Sequence, residues 1–293
     1  MPRRSLTLLC VVCLSTLALT VSAPNVHAQG GLVTLDYPNA IETDCNDINI
    51  NGTIVGFYVD STGIDHGFTQ IKGNLMTVDV PGSQETLLYG VNDFDHAVGW
   101  YTDSGGVTHG LLIGPGQKVK TFDPPGAVTT NAWDVNNSYT IVGAYVDSGS
   151  VTHGFFYAGG KFTTYDAPGG SILTEITGIN DQNDIVGIYD DSSGVEHGFA
   201  VTNGLFIKID YPGSGVAVTS ADRINKSGEV VGLWGTSTSG PFSGYTTKPH
   251  QPFNNVMFPG STETRVRGLN IKGVITGRYT DTNGVIHGFY GTP

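Results

Sequence analysis

The chain repeats one unit six times, with a period of 43 to 45 residues, and this repetition constrains its fold more than any other feature. Each copy carries a triplet similar to Ile-Val-Gly, and an asparagine lies seven residues before the glycine of that triplet. The glycines are Gly56, Gly99, Gly143, Gly187, Gly232 and Gly277. The asparagines are Asn49, Asn92, Asn136, Asn180, Asn225 and Asn270. Such a period indicates that each copy is one supersecondary unit packed on its neighbours.

Within a copy, the sequence predicts four short strands. In the fourth copy we place them over residues 174–180, 184–189, 197–201 and 205–210, separated by segments rich in Asn, Asp, Ser and Gly. Four strands in a unit of about 44 residues are typical of a β-propeller blade.

The two ends of the chain predict how the ring closes. Residues 32–38 have the pattern of a fourth strand with no blade before it, and the last copy stops after its third strand, at Tyr290. One N-terminal strand and three C-terminal strands together complete a sixth blade. We therefore predict an all-β fold, a six-bladed β-propeller closed by the N-terminal strand in a 1+3 arrangement.

Residues 1–28 predict a secretory signal peptide, because two arginines precede an apolar run and small residues surround a cleavage site after Ala28. The run is too short for a stable membrane span. We expect one propeller domain over residues 29–293, exported as a soluble protein to the periplasm or the exterior. Cleavage leaves Cys45 as the one cysteine, so no internal disulfide can form.

Two further motifs recur in the repeat frame. Asp-x-Pro occurs at Asp36, Asp79, Asp123, Asp166 and Asp210, and degenerates to Met257-Phe258-Pro259 in the remaining copy. His-Gly occurs at His66, His109, His153, His197 and His287.

The segment from Gly178 to Gly187, followed by His197-Gly-Phe199, resembles the bacterial extracellular HAF repeats, which are named for their His-Ala-Phe tripeptide. The resemblance covers nearly the whole chain after the leader. It departs from the family in two places, since the tripeptide is His-Gly-Phe and Asp-x-Pro-Gly replaces a Leu-Gly-rich segment. The resemblance implies export and a repeat architecture, and the family has no established activity to transfer.

Each His-Gly histidine follows an aspartate by six residues, across a hairpin rich in Ser and Gly. The pairs are Asp60/His66, Asp103/His109, Asp147/His153, Asp191/His197 and Asp281/His287. A carboxylate across the turn would orient the imidazole. We interpret the pairs as structural clips that close the hairpins, and a metal half-site or an acid–base pair is the alternative. Two ligands per blade are fewer than a zinc site requires.

We predict no metal and no cofactor. Residues 47–52 match the first half of an EF-hand loop, but Tyr58 stands where a bidentate Glu is required. The sequence contains no Gly-x-Ser-x-Gly elbow, no His-Glu-x-x-His and no phosphate-binding loop.

The copies differ most along their first strands, which line the channel of a propeller. Three residues before each repeated asparagine lie Asn46, Tyr89, Trp133, Thr177, Asp222 and Arg267. Five residues before it lie Asp44, Leu87, Asn131, Glu175, Ser220 and Arg265. The residue between these two is always apolar (Cys45, Leu88, Ala132, Ile176, Ala221 and Val266) and should face the core.

From these positions we predict a ligand site at one mouth of the channel. Its residues are Tyr89, Trp133, Glu175, Asp222, Arg265 and Arg267, together with Arg223, which joins the arginines on the first strands of the fifth and sixth copies. Clustered arginines suit planar anions such as carboxylates, and the two aromatic rings suit a sugar. The alternative is that the arginines form salt bridges between blades with Asp222, Asp134 and Glu175.

The function predicted from these patterns is a non-catalytic binding module for an extracellular or envelope carbohydrate, and the narrower prediction is an anionic one. A polysaccharide lyase or hydrolase that uses Asp222, Glu175 or Asp44 is the first alternative. A protein scaffold is the second, with contacts through Phe242, Tyr245, Phe253 and Phe258 of the irregular fifth copy. The net charge of −12 and the pI near 4.8 argue against nucleic acid as a partner. We expect a monomer.

Overall fold

The computed structural model describes residues 28–29, 31–169 and 172–293, all of which form strands, turns and loops. The predicted leader, residues 1–28, therefore lies outside the described residues except for Ala28. Within the described part of the chain, no helix is long and apolar enough to cross a membrane.

The described residues contain twenty-six strands, of which β1 (Ala28–Gln29) and β2 (Leu32–Leu35) come first. After these two strands, the first four blades follow, and each consists of four consecutive antiparallel strands. Blade 1 contains β3 (Glu42–Ile48), β4 (Ile54–Val59), β5 (Asp65–Ile71) and β6 (Asn74–Val78). Blade 2 contains β7 (Glu85–Val91), β8 (Ala97–Thr102), β9 (Thr108–Gly114) and β10 (Lys118–Phe122). Blade 3 contains β11 (Thr129–Val135), β12 (Ile141–Val146), β13 (Thr152–Ala158) and β14 (Lys161–Tyr165). Blade 4 contains β15 (Thr174–Ile179), β16 (Ile185–Asp190), β17 (Glu196–Thr202) and β18 (Leu205–Ile209). The strands predicted for the fourth copy are thus confirmed to within one residue.

Blade 5 is irregular because its inner strand is divided. It contains β19 (Val218–Thr219), β20 (Arg223–Ile224), β21 (Val230–Gly235), β22 (Phe242–Thr247) and β23 (Asn254–Val256). The backbone N–H groups of Ser220 and Asp222 still donate hydrogen bonds to carbonyl oxygens of β21. β19 and β20 are therefore two parts of one distorted inner strand.

Blade 6 joins the two ends of the chain. It contains β24 (Glu263–Leu269), β25 (Ile275–Thr280), β26 (Ile286–Gly291) and, as its outer strand, β2. β2 pairs antiparallel with β26, with Leu35 opposite Gly288. The six-bladed propeller and its 1+3 closure are therefore confirmed.

The repeated motifs explain how blades pack. The six apolar inner-strand positions are all fully buried, and six hydrophobic clusters lie at the junctions between blades. Each triplet glycine is needed because the inner strand crosses close to it: a Cβ on Gly56 would lie 1.9 Å from the Asp44 carbonyl oxygen. The aromatic residue two positions later packs between blades, as Tyr58 does against Tyr37, which follows the closing strand β2, with ring centroids 3.7 Å apart.

The repeated asparagines form a closed ring of hydrogen bonds around the channel. In every blade Nδ2 donates to the carbonyl oxygen of the asparagine in the next blade, at 2.9 to 3.3 Å, and Asn270 returns to Asn49. The Oδ1 of each asparagine accepts two backbone N–H groups of its own turn, as Asn92 does from Phe94 and His96. One side chain therefore shapes the hairpin and links it to its neighbour.

Candidate functional site

A cavity of about 230 Å³ lies at the end of the channel where the inner strands begin, and we call it the mouth pocket. All six side chains that lie three residues before the repeated asparagines line it. The seven residues predicted as a ligand site, Tyr89, Trp133, Glu175, Asp222, Arg223, Arg265 and Arg267, all line it as well. The structure thus brings the predicted residues together, while their role in binding stays a prediction.

The mouth pocket is one-sided, which the sequence pattern did not indicate. At the position five residues before the repeated asparagine, the side chains of blades 4 to 6 line the cavity, but their counterparts in blades 1 to 3 do not. The lining residues at this position are Glu175, Ser220 and Arg265. Phe57, Leu87 and Trp100 form a buried cluster there, packed against Tyr89 and Trp133.

The aromatic cluster of blades 2 and 3 gives the pocket a rigid wall. Tyr89 stacks on Trp100 with ring centroids 4.1 Å apart, and Trp133 meets both rings edge-on at 4.7 and 5.0 Å. Bulky second-strand side chains at Phe57 and Trp100 therefore fill the channel end on one side, so the opening lies over blades 4 to 6.

Arg223 forms the floor of the mouth pocket and separates it from a second cavity of about 420 Å³ at the far end of the channel. Its Nη1 donates to the carbonyl oxygens of Thr177 and Asp222, and its Nη2 donates to those of Tyr89 and Trp133. The side chain is 5% exposed. Because its terminal donors are directed to backbone oxygens, Arg223 holds the inner strands together and is poorly placed to pair with a ligand anion.

Two aspartates accompany Arg223 in the channel. The Oδ2 atoms of Asp47 and Asp134 lie 3.7 and 3.8 Å from its Nε. Burial raises the pKa of Asp47 to about 7, against the opposing charge of Arg223, and burial raises that of Asp134 as well. Two carboxylates face one guanidinium, so one of them retains a proton near neutral pH.

This channel layer alternates around the ring. Blades 1, 3 and 5 contribute Asp47, Asp134 and Arg223, and blades 2, 4 and 6 carry Gly90, Gly178 and Gly268 at the same repeat position. A Cβ on these glycines would lie 2.6 to 3.0 Å from the Cα atoms of Asp134, Arg223 and Asp47, respectively. Each glycine thus makes room for the charged residue of the following blade.

The other two pocket arginines already meet carboxylates. Arg267 Nη1 lies 3.3 Å from Asp222 Oδ2, across the junction of blades 5 and 6. Arg265 pairs with Glu263 on its own strand and lies over the Phe242 ring, 4.5 Å from its centroid. The salt-bridge interpretation is therefore correct for Arg267 with Asp222, and for Arg223 with Asp134 at the longer distance. It is wrong for Glu175, which has no arginine partner among the described residues.

Glu175 and Glu196 form an acidic wall on blade 4. Glu175 lies opposite Ile188 in the β15–β16 pairing, and Glu196 lies two residues before the partner of Ile188 on β17, so the three side chains share one face of the sheet. Burial, with the charges of Glu196 and Asp222, raises the pKa of Glu175 to about 7. Burial, with the charges of Asp190 and Asp222, raises that of Glu196 to about 7.

Sequence reasoning missed Glu196 because it considered first strands alone. The pocket also includes second- and third-strand side chains, namely Ile188, Leu233 and Phe242. A signal was present: the residue before the repeated histidine varies between copies (Asp65, Thr108, Thr152, Glu196, Phe242 and Ile286). Asp44, offered as a catalytic candidate, lies outside the pocket and is 3.5 Å from Arg278.

Four buried polar atoms of pocket-lining residues have no hydrogen-bond partner among the described residues. They are Asn46 Oδ1, Trp133 Nε1, Arg223 Nε and Arg267 Nε. Of these, Arg223 Nε lies beside the carboxylates of Asp47 and Asp134. A buried polar atom without a partner costs about 1 to 3 kcal/mol. The other three atoms are one acceptor and two donors that a ligand hydroxyl, or the water around it, would satisfy.

The five predicted Asp–His pairs occur, but the closer partner of each histidine is another aspartate. Histidine Nε2 faces the hairpin aspartate at 3.2 to 3.9 Å. Nδ1 faces the aspartate of Asp-x-Pro at 2.7 to 3.0 Å. For His287 that aspartate is Asp36, which follows the closing strand β2. The repeated Asp-x-Pro motif was the signal for this second partner.

Other predicted features have simple structural outcomes. Tyr245 and Phe258 are buried and Phe253 is half-buried, so the aromatic residues of blade 5 form no exposed patch for a protein scaffold. Cys45 is buried, and burial raises the pKa of its thiol. Among the described residues, no group of His, Cys, Asp and Glu side chains is arranged to hold a metal ion.

The chain matches no known protein family and no curated protein. Among solved structures it resembles the SapL1 lectin in complex with α-methyl fucoside, with a TM-score of 0.56 and 10% identity over 86% of this chain and 93% of that one. It resembles the six-bladed, fucose-recognising lectin of Aleuria aurantia, with a TM-score of 0.52 and 11% identity over 88% and 93%. TolB of Acinetobacter baumannii gives 0.55 and 10% over 82% and 64%. At these identities the likeness establishes the propeller fold alone.

Proposed function

We propose that this propeller is a non-catalytic carbohydrate-binding module, exported from the cell, with its ligand site in the mouth pocket. The observation that carries the proposal is the pocket itself, which combines an aromatic wall with buried polar atoms that lack partners. Sugars present apolar ring faces and many hydroxyls, and such sites suit both. The fucoside-bound lectins with the same fold support this assignment.

A binding panel tests the proposal. The protein is titrated calorimetrically with neutral, amino and uronate oligosaccharides, and the same titrations are made with Trp133→Ala and Trp234→Ala. Trp234 stacks on Tyr211, outside the pocket, and is the matched control. We expect binding to weaken at least about fivefold in Trp133→Ala alone, since stacking on an aromatic side chain contributes about 1 kcal/mol or more.

A second variant is needed as a control for misfolding, because Trp133 also supports the channel wall and its removal could disturb the fold. Thr238 is an exposed residue that lines the pocket, so Thr238→Arg obstructs the opening without changing the core. Binding that survives Thr238→Arg would place the ligand elsewhere on the propeller and overturn the mouth-pocket proposal.

An acidic sugar is the finer prediction from the sequence. It relies on Arg265 and Arg267, both of which already pair with carboxylates. Tighter binding of the uronate probe than of the neutral one would support it, and weaker binding would exclude it.

Sugar cleavage is the second candidate function. Glu175 and Asp222 both line the pocket, and a carboxyl group whose pKa is raised to about 7 suits general acid catalysis near neutral pH. New reducing ends released by the protein, and lost in Glu175→Gln, would favour an enzyme. Binding without release favours the module.

A further inference from the structure

We propose that the mouth pocket recognises a sugar that carries a protonated amino group, and that Glu175 and Glu196 bind this group. The inference rests on the proposed carbohydrate function and names its ligand class. It concerns blade 4, whose side chains form a different part of the pocket wall from the aromatic cluster of blades 2 and 3.

The distribution of ion pairs is the first argument. Each pocket arginine already has a carboxylate neighbour: Arg223 has two aspartates, Arg265 has Glu263, and Arg267 has Asp222. Glu175 and Glu196 form no ion pair with any cation among the described residues. The uncompensated charge in this cavity is therefore negative, and it lies on one wall.

The placement of this wall is the second argument. Glu175 and Glu196 share a sheet face with Ile188, and Leu233 of the next blade also lines the cavity. Two carboxylates that flank an apolar surface can together accept hydrogen bonds from an ammonium group while the carbon skeleton covers the apolar side chains. A neutral hydroxyl would leave the negative charge uncompensated.

An independent observation comes from blade 1. Asn46 is fully buried and lines the same cavity, and its Oδ1 has no hydrogen-bond partner among the described residues, whereas its Nδ2 donates to the Leu88 carbonyl. The free atom is an acceptor, so it joins the two glutamates as a partner for N–H and O–H donors of a ligand. The free donors Trp133 Nε1 and Arg267 Nε suit oxygen atoms of the same sugar.

The environment of the acidic wall is consistent with a cation site. The charged and titratable groups that face it are Asp190, Asp222, His197, Arg265, Arg267 and Tyr89. Burial and the neighbouring carboxylates raise the pKa of Glu175 and of Glu196 to about 7. A bound ammonium group would lower both pKa values, so binding should be accompanied by proton release.

The experiment compares two ligands that differ in one group. A β-1,4-linked glucosamine hexamer and the same hexamer N-acetylated are titrated into the protein at pH 6.5 and at pH 5. We expect the amino form to bind about tenfold more tightly at pH 6.5, since hydrogen bonds to charged groups contribute about 1.5 kcal/mol or more. The preference should shrink at pH 5, where the ligand is more fully charged but the carboxylates are protonated.

Acid-to-amide variants assign the effect to residues. Glu175→Gln and Glu196→Gln should each remove most of the amino preference and its pH dependence. Asp65→Asn is the matched control, because Asp65 is the blade 1 counterpart of Glu196 and lies outside the pocket. It should leave the preference unchanged.

The outcomes separate this inference from the proposed function. Equal or weaker binding of the amino hexamer, or a preference that persists in both Glu→Gln variants, would overturn amine recognition while leaving the carbohydrate module intact. Failure of the whole sugar panel to bind, or binding insensitive to Thr238→Arg, would overturn the proposed function and this inference with it.

Discussion

At the scale of single residues, Arg223 has the strongest structural role in the channel. It belongs to blade 5, yet its guanidinium donates to backbone oxygens of blades 2, 3 and 4 and lies beside aspartates of blades 1 and 3. Blade 6 is the one blade that its guanidinium does not meet in these contacts. Removal of one partner from a buried ion pair leaves an uncompensated charge, which costs more than the pair contributes.

We therefore predict that Arg223→Met lowers the free energy of unfolding at pH 8 by about 3 to 5 kcal/mol. The loss should be smaller at pH 5, because Asp47, whose pKa is already about 7, is then neutral. Urea unfolding at the two pH values measures both effects. Arg265→Met is the control, since that side chain is partly exposed, and it should cost about 1 kcal/mol or less. Equal losses in the two variants would contradict the assigned role of Arg223.

The pocket residues show what a sequence can predict at this scale. Six of the seven mouth residues follow from the strand period, because side chains on one face of the inner strand recur at fixed offsets from the repeated asparagine. Arg223 follows instead from the clustering of arginines on the first strands of blades 5 and 6. That offset could not reveal that Leu87 is covered or that Glu196 is exposed to the cavity. Both depend on second- and third-strand side chains that reach the channel from outside the inner strand.

At the scale of strands and hairpins, the repeated asparagine occurs in every copy, and a bulged inner strand precedes it in every blade except the irregular blade 5. The register shifts by one residue just after the buried apolar position, as between Ala132 and Asp134. A bulge of this kind bends the strand and leaves Trp133 unpaired in the ladder, which directs it into the channel. The bulge is therefore what converts a simple alternation into a converging ring of side chains.

The asparagine ring predicts the effect of a minimal substitution. Asn92→Asp keeps the oxygen that accepts from Phe94 and His96 but removes the Nδ2 donor to Asn136. We expect a loss of about 1 to 3 kcal/mol, because a buried carbonyl is left without its donor. Asn203→Asp, at an exposed turn, should change stability by less than about 0.5 kcal/mol. Thermal denaturation of both variants checks the difference.

The histidine clips predict a dependence of stability on pH. The hydrogen bond that His109 Nδ1 donates to the carboxylate of Asp123, opposed by burial, raises the pKa of His109 above its ordinary value of 6.5. A histidine with a raised folded pKa stabilises the protein fully below the unfolded pKa, and this contribution is lost as the pH rises through the folded pKa. The melting-temperature difference between the protein and His109→Gln should therefore be largest near pH 6 and decline above pH 7.

The hairpin aspartates predict the opposite dependence of stability on pH. Backbone N–H groups of Val107 and Gly105 lower the pKa of Asp103. A carboxyl group with a lowered folded pKa contributes stability above its unfolded pKa and loses it as the pH falls. An Asp103→Asn variant should thus approach the stability of the protein below pH 3. A difference that stays constant from pH 3 to pH 9 would contradict both assignments.

At the scale of the whole molecule, closure depends on one short strand. β2 contributes the buried side chains Leu32 and Leu35 to two different blade junctions, and Asp36 after it completes the histidine clip of blade 6. Without β2, β26 would be an unprotected edge. The terminal strand therefore holds the first and last copies of the repeat together.

We predict that Leu35→Ala lowers the free energy of unfolding by about 2 to 5 kcal/mol, because a fully buried leucine leaves a cavity. Leu205→Ala is the control at the start of another outer strand, where the side chain is 68% exposed. It should change stability by less than about 0.5 kcal/mol. A single cooperative transition in both variants is expected, since every blade contacts two others.

The fold was more predictable than the site because repetition averages out the errors of single copies. Six equivalent patterns determined the strands, the blades and the closure. A ligand site instead depends on differences such as Glu175 against Leu87, each of which occurs once. The resemblance to HAF repeats stays a prediction, since no family matches the chain.

The alternation of the channel layer limits how this propeller can be rearranged. Charged residues at Asp47, Asp134 and Arg223 alternate with Gly90, Gly178 and Gly268, so the repeating structural unit of the channel is a pair of blades. Deleting or duplicating one blade would set two charged residues or two glycines side by side, with a clash or a hole at the axis. Deletion, duplication or exchange of blades should therefore succeed when whole pairs of adjacent blades are involved, so the structural unit of this propeller is the double blade.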